Sequence, residues 1–169
     1  MASSSASNSM NASKRLLKEI KDYAKSPNPV LASLGPIDDD DLLHWSAVLL
    51  GAPETIYEGC RWTIDIQIPE QYPHKPPLMV FKTPCCHPNI HLKTGEICLD
   101  LLRGTAWSPA YTISTTLTAI SHLLTQPEPN SPLNVDVAAV LRVGDTVGYE
   151  SLVRVWGVLF AGKPPTTGW

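Results

Sequence analysis

The chemically capable residues of this 169-residue chain gather in one stretch, residues 82–111, which holds Cys85, Cys86 and Cys98 together with His87 and His91. Thiols and imidazoles at such spacing admit three readings. A zinc site would draw on all five, but adjacent cysteines aim poorly at one ion, no Cys-x-x-Cys is present, and Pro88 keeps the two histidines off a shared helical face. A cysteine hydrolase would pair a thiolate with a histidine oriented by an acid or amide, for which His87, His91 and Asn89 are near in sequence. Such triads are normally assembled from distant segments, and the local signatures of known cysteine proteases are absent. The third reading makes these residues an ordinary loop around a buried thiol. That is the ordinary expectation for such residues and stays open on the residues alone, although loops beyond about 15 residues without regular structure are uncommon unless they carry function.

The flanking segments must position this stretch. Ser13 is placed to cap a helix in which Leu16, Leu17, Ile20, Tyr23 and Ala24 recur at helical spacing, while Lys14, Arg15, Lys18, Lys21 and Lys25 fill the rest until Pro27 and Pro29 stop it. That is a basic amphipathic helix, either a solvated face or a docking surface for an acidic partner. Residues 44–50 read as a strand closed by Gly51 and Pro53. The clearest strand is 60–68, where Trp62, Ile64, Ile66 and Ile68 alternate with Arg61, Thr63, Asp65 and Gln67, one face apolar and the other polar. A third strand, 78–81, follows the turn-rich residues 72–77, and the short connections predict an antiparallel meander. From about residue 112 the period changes: Ile113, Leu117, Ile120 and Leu124 form a helical stripe, and 135–143 and 149–160 offer two more helices. One helix, a sheet, then helices predict an α+β domain over residues 13–160, preceded by a disordered leader, 1–12, and followed by a tail, 161–169.

Composition narrows the partners. Thirteen Lys and Arg against sixteen Asp and Glu give a net charge of −3, without the basic excess that binding a phosphate backbone requires, so nucleic acid is excluded as a first expectation. No apolar run approaches the roughly 18 to 20 residues of a membrane span, and the polar start of the chain lacks the apolar core of a secretory signal. These features predict a soluble intracellular protein with free thiols. Sixteen prolines, close to twice the usual share of about 5%, fall between the periodic segments as stiff punctuation.

An ordered series of motifs then singles out one reading. His87, Pro88, Asn89, followed by Gly95 through Leu102 with Cys98 in its midst, and then Trp107, Ser108, Pro109, Ala110, closely resembles the active-site run of ubiquitin-conjugating enzymes. Tyr72, Pro73, Pro76 and Pro77 resemble the family's Tyr-Pro-x-x-Pro-Pro turn, His44 and Trp45 its second-strand start, and Ser131, Pro132, Leu133 the element facing the cysteine. The resemblance covers about residues 13–160. It implies the family fold: an N-terminal helix, a four-stranded antiparallel meander, an active-site loop and C-terminal helices.

By that resemblance Cys98 accepts the C-terminal carbonyl of ubiquitin from an activating enzyme and passes it to a substrate lysine or cysteine. No cofactor is implied, because ATP is consumed upstream. Asn89 matches the family's candidate for easing charge on the carbonyl oxygen, or braces the loop through backbone hydrogen bonds, or both. His87 resembles the loop-ordering histidine, with no part as a general base. Asp100 and Ser131 match positions that orient the incoming amine; Ser131, where many relatives carry Asp, is also placed to cap the following helix. Lys14, Arg15 and Lys18 resemble the face that meets the activating enzyme, and His74, Pro109 and Ala110 the loops that hold RING-type ligases, His74 replacing the Phe of many relatives. No residue set implies a metal.

Eight residues separate Asn89 from Cys98, one more than in most family members. With Gly95 and Glu96, residues 131–136, and the Arg142, Gly144, Asp145, Tyr149 series, this loop resembles the fungal peroxisomal ubiquitin-conjugating enzymes of the peroxin class. That subfamily works at the cytosolic face of peroxisomes, held by a membrane-anchored tether, on import receptors that are to be recycled. The final Thr167, Gly168, Trp169 is not a Ser-Lys-Leu address, so a tether is expected to supply the location. The polar face bearing Thr63, Asp65 and Gln67 is open to such a tether. The alternatives are a general cytosolic or nuclear member of the family, and a non-catalytic binding module of the same fold.

Overall fold

A computed structural model describes residues 2–104 and 106–163, residues 2–9 by backbone alone. Its elements run α1 (Ala2–Lys25), β1 (Leu31–Asp38), β2 (Asp41–Leu50), β3 (Arg61–Gln67), β4 (Leu78–Phe81), α2 (Ile113–Thr125), α3 (Val135–Arg142) and α4 (Thr146–Phe160). The four strands lie in sequence order as one antiparallel meander.

Alternation in β2 and β3 sets the core. Their register pairs Trp45 with Ile66, Ala47 with Ile64 and Leu49 with Trp62, and β4 adds Met79 opposite Ile66 and Phe81 opposite Ile64. Because successive side chains point to opposite faces, all eight of these residues fall on one side, and each is buried. The α2 stripe packs into the same core, with Ile113, Leu117 and Ile120 fully buried. Truncating such a side chain to alanine costs about 2–5 kcal/mol, so this layer is the rigid base under the loops. β1 is not announced by the residues alone, since Gly35 and Pro36 interrupt it. It is an edge strand, where the missing Pro N–H is tolerated.

Several boundaries differ from the sequence reading. α1 runs from Ala2, so the expected leader is helical from its second residue; Met1 lies outside the described residues. Ala12, fully buried one turn before Leu16, carries the packed stripe one turn further back than the sequence pattern shows. Ser13 therefore sits inside the helix and does not cap it. Leu17, expected on the apolar stripe, is 47% exposed, while Glu19 is 8% exposed and takes a place on the buried face. On β3, Asp65 is buried rather than solvated, its Oδ1 lying 2.7 Å from His44 Nε2, so the polar face is less open than the alternation implies. The tail is docked as far as it is described. Arg61 N–H donates to the Ala161 carbonyl at 2.8 Å and Lys163 Nζ to the Ile56 carbonyl at 2.7 Å; residues 164–169 lie outside the described residues.

Candidate active site

Residues 82–98 are not a free loop but an irregular ribbon leaning on β4. Phe81 N–H donates to the Gly95 carbonyl at 2.9 Å, and single bridges join Val80 to Glu96 and Ile90 to Ile97. Within the ribbon His91 N–H donates to Glu96 O and Cys98 N–H to Asn89 O, both at 2.8 Å. Gly95 makes this approach possible. Its φ is +72°, and a Cβ there would sit 1.9 Å from the Phe81 carbonyl oxygen, so no other residue allows the ribbon to lie this close. Cys98 is thereby held in register with Asn89.

The Asn89 side chain is the brace of the site. Buried to 1% exposure, its Nδ2 donates to the Glu128 carbonyl at 2.8 Å and to the Ser131 carbonyl at 3.0 Å, while its Oδ1 accepts from Glu128 N–H at 2.8 Å. A carboxamide has two donor hydrogens, and both are engaged. Of the two roles open to it in the sequence, loop bracing is the one this geometry displays. An amide aimed at a carbonyl oxygen above Cys98 would first have to release Glu128 or Ser131.

Pro88 extends the brace, its carbonyl accepting from both Leu133 and Asn134 N–H at 2.9 Å. Asn134, absent from the sequence-derived site, is the N-cap of α3 through its side chain. The signal that could have found it is an Asn just ahead of a helical run. Ser131 is accordingly not a cap. Its exposed hydroxyl points instead at the thiol, with Oγ 3.7 Å from Cys98 Sγ.

His87 lies beneath this assembly, fully buried, and its Nδ1 accepts the Asn89 N–H at 3.0 Å. Burial pushes its pKa down to about 4, outweighing the pull of the Leu123 and Leu124 backbone, so the ring is neutral at pH 7. With its lone pair already used by the backbone, it is no general base. His91 turns into its own bend, Nδ1 accepting from Lys93 and Thr94 N–H. Neither ring forms the bonded pair with a thiol that a cysteine hydrolase needs. Among the described residues no three metal-ligating side chains converge.

The four thiols divide sharply. Cys60, Cys85 and Cys86 are buried, and desolvation raises all three pKa values, that of Cys86 to about 11. Cys98 alone is partly exposed. A thiolate is the nucleophilic form, so the environment that silences three cysteines leaves the fourth accessible. Asp100 is exposed two residues beyond it.

The outer residues are less uniform than the sequence suggests. Lys14 and Lys18 are exposed on α1, although Lys18 pairs with Asp22 at 2.7 Å. Arg15 is drawn inward, Nε to Glu19 Oε1 at 2.7 Å and Nη2 to the Tyr111 carbonyl at 2.9 Å, and so is not a free part of the basic face. His74, Pro109 and Ala110 are exposed on two loops that meet, because Trp107 Nε1–H donates to the Pro73 carbonyl at 2.8 Å.

A folded hairpin ribbon, a braced facing loop and a single accessible thiol on an α+β meander define the ubiquitin-conjugating class. The profile of the ubiquitin-conjugating enzyme family matches residues 15–156, and the chain belongs to that family. It is 46% identical over 158 residues to the "Ubiquitin-conjugating enzyme E2 PEX4" of Gibberella zeae, covering 92% of this chain and 91% of that one. It is 43% identical over 155 residues to "Protein PEROXIN-4" of Arabidopsis thaliana, at 90% and 97% coverage. Among solved structures, H. polymorpha Pex4p, determined in complex with the soluble domain of Pex22p, is similar at a TM-score of 0.82 and 35% identity, covering 89% of this chain and 98% of that one. The fold expected from the motif series, and the likeness to the peroxin class, are thus borne out.

The buried imidazole sets a pH dependence. Above about pH 6.5 His87 is neutral folded and unfolded; as pH falls from there toward 4 only the unfolded chain takes up the proton, so stability drops. The loss is about 3 kcal/mol in total. Urea unfolding of the wild type between pH 7 and 4 should show it, and His87→Gln, less stable at neutral pH, should show a correspondingly shallower decline; parallel profiles would contradict the assignment.

Proposed function

We propose that the protein holds ubiquitin as a thioester on Cys98 and transfers it to lysine or cysteine side chains of peroxisomal import receptors, so that they can be extracted and reused. The observation that carries the chemistry is the exposure of this one thiol opposite the braced loop. The peroxisomal setting rests on relatives that bear the names PEX4 and PEROXIN-4 along about nine-tenths of the chain.

In the first step Cys98 sulfur attacks the activated ubiquitin carbonyl on the activating enzyme and that enzyme's thiol leaves. In the second, a substrate amine or thiol attacks the same carbonyl, Cys98 leaves as thiolate, and the attacking group's proton passes to solvent. No step needs a cofactor on this chain. A thiol without a bonded histidine is a poor hydrolase but a sufficient acceptor of an acyl group that is already activated. Asn89 keeps Ser131 at the thiol; lending an amide hydrogen to the oxyanion, worth about 3–4 kcal/mol on precedent, requires giving up one carbonyl bond during transfer. Asp100 and Ser131 flank the path of the incoming nucleophile, and His87 orders the loop from below.

Lys14 and Lys18, with Arg15 partly withdrawn, supply the face for the activating enzyme, and His74, Pro109 and Ala110 the face for a RING-type ligase. Among the described residues no helix is long and apolar enough to cross a membrane. The proposed location comes from a membrane-anchored partner, a reading supported by the crystallised pairing of the similar H. polymorpha Pex4p with the soluble domain of Pex22p. A second reading, a general member of the family, draws on the relative from Schizosaccharomyces pombe, 45% identical and named only "Ubiquitin-conjugating enzyme E2 16".

Incubation with activating enzyme, ubiquitin and ATP should add one ubiquitin through a bond that thiol reductant cleaves. Cys98→Ala should abolish the adduct and Cys98→Ser should give a reductant-resistant oxyester; an adduct surviving in Cys98→Ala would overturn the assignment. For location, a tagged copy should mark peroxisomes and become diffuse in cells lacking the peroxisome-membrane tether, whereas diffuse signal in both would favour the general reading.

A further inference from the structure

We propose that Glu19 is the positioning residue that sets the two ligase-facing loops against each other, an inference that rests on the reading of His74, Pro109 and Ala110 as ligase contacts. Its carboxylate is buried among donors from three separate segments. Oε1 accepts from Arg15 Nε–H at 2.7 Å, one turn back along α1, and from the Tyr72 hydroxyl at 2.6 Å, in the turn after β3; Oε2 accepts from Ile113 N–H at 2.9 Å, at the first residue of α2.

Each tie answers a physical requirement. A buried carboxylate is stable only when its lone pairs are met by hydrogen bonds. The first N–H groups of a helix have no partner within it, and the positive end of α2 favours an anion there. The carboxylate and the helix start satisfy one another, and Tyr72 must follow.

These contacts reach the exposed loops directly. His74 lies two residues beyond Tyr72, while Pro109 and Ala110 lie between Trp107 and Tyr111. Arg15 reaches past Glu19 to the Tyr111 carbonyl, and the Trp107 ring sits 6.1 Å from Tyr72 and 5.8 Å from Tyr111 by ring centres. The indole N–H bond to Pro73 joins the two loops at the top, and Glu19 joins them at the base. A shift of either loop relative to the other breaks one of these bonds. Glu19 touches no partner itself; it fixes the distance between the surfaces that do.

Two substitutions test this on the full chain. Tyr72→Phe deletes one hydroxyl and keeps the ring, and Glu19→Gln keeps the size but sets an amide N–H against a donor. The readout is discharge of the Cys98 thioester to free lysine, without and with a purified RING domain chosen from a panel because it accelerates the wild type. Thioester loading and unassisted discharge should stay within about twofold of wild type, while the RING concentration for half-maximal stimulation should rise about fivefold or more at an unchanged maximal rate. A merely structural role would depress loading and unassisted discharge together. An unchanged half-maximal concentration in Tyr72→Phe, or a parallel fall in unassisted discharge, overturns the proposal; should Glu19→Gln not fold, Tyr72→Phe decides. If no RING domain stimulates the wild type, the ligase reading itself fails first, and is seen to fail separately.

Discussion

The carboxamide of Asn89 has one acceptor oxygen and two donor hydrogens, and all three hold the turn at Glu128 and Ser131 against the ribbon that carries Cys98. Its backbone carbonyl takes the Cys98 N–H as well. One residue thus fixes both walls of the site, the strand side through its main chain and the helix side through its side chain. The Ser131 hydroxyl meets the thiol only because this brace is in place. Since a buried amide left unmatched costs about 1–3 kcal/mol for each group, the geometry is strongly preferred over its alternatives.

Beneath the brace, rigidity comes from neutral contacts. His87 is kept uncharged by burial and gives its lone pair to the Asn89 N–H, and Pro88 gathers two N–H groups with one carbonyl. Tyr57 and Tyr149, hydroxyls 2.7 Å apart, tie α4 to the same region, with Tyr57 also donating to the Cys86 carbonyl. The consequence is chemical economy: three thiols are immersed in this core and made inert, and the fourth is presented on a fixed ledge. A carrier of activated acyl groups needs that combination, an accessible sulfur with no bonded base to direct water at its thioester.

Much of this was legible in the residues and some was not. The period-two pattern of residues 60–68 and the stripe Ile113, Leu117, Ile120, Leu124 announced β3 and α2, because burial alone dictates them. The motif series carried the resemblance to the family. β1 was hidden, as an edge strand tolerates the Gly35 and Pro36 that a local reading takes for a break. The start of α1 was hidden for another reason: a Ser, Ala and Asn mixture has no apolar stripe to read, and the burial of Ala12 is a tertiary fact that alanine alone does not announce. Glu19 and Arg15 read as surface charge on any helical wheel; only tertiary partners from Tyr72, Tyr111 and Ile113 draw them inward. Asn89 could be recognised by its motif, whereas the engagement of both its amide hydrogens depends on where the turn at Glu128 comes to rest.

The proposed ubiquitin transfer requires one thiol to be the accessible acyl carrier, and native alkylation tests this directly. With limiting iodoacetamide under folding conditions, peptide mass spectrometry should find Cys98 modified well before Cys60, Cys85 or Cys86, and the protein alkylated at Cys98 alone should no longer accept ubiquitin. Modification of a core cysteine first, or continued thioester formation after Cys98 is blocked, would contradict it.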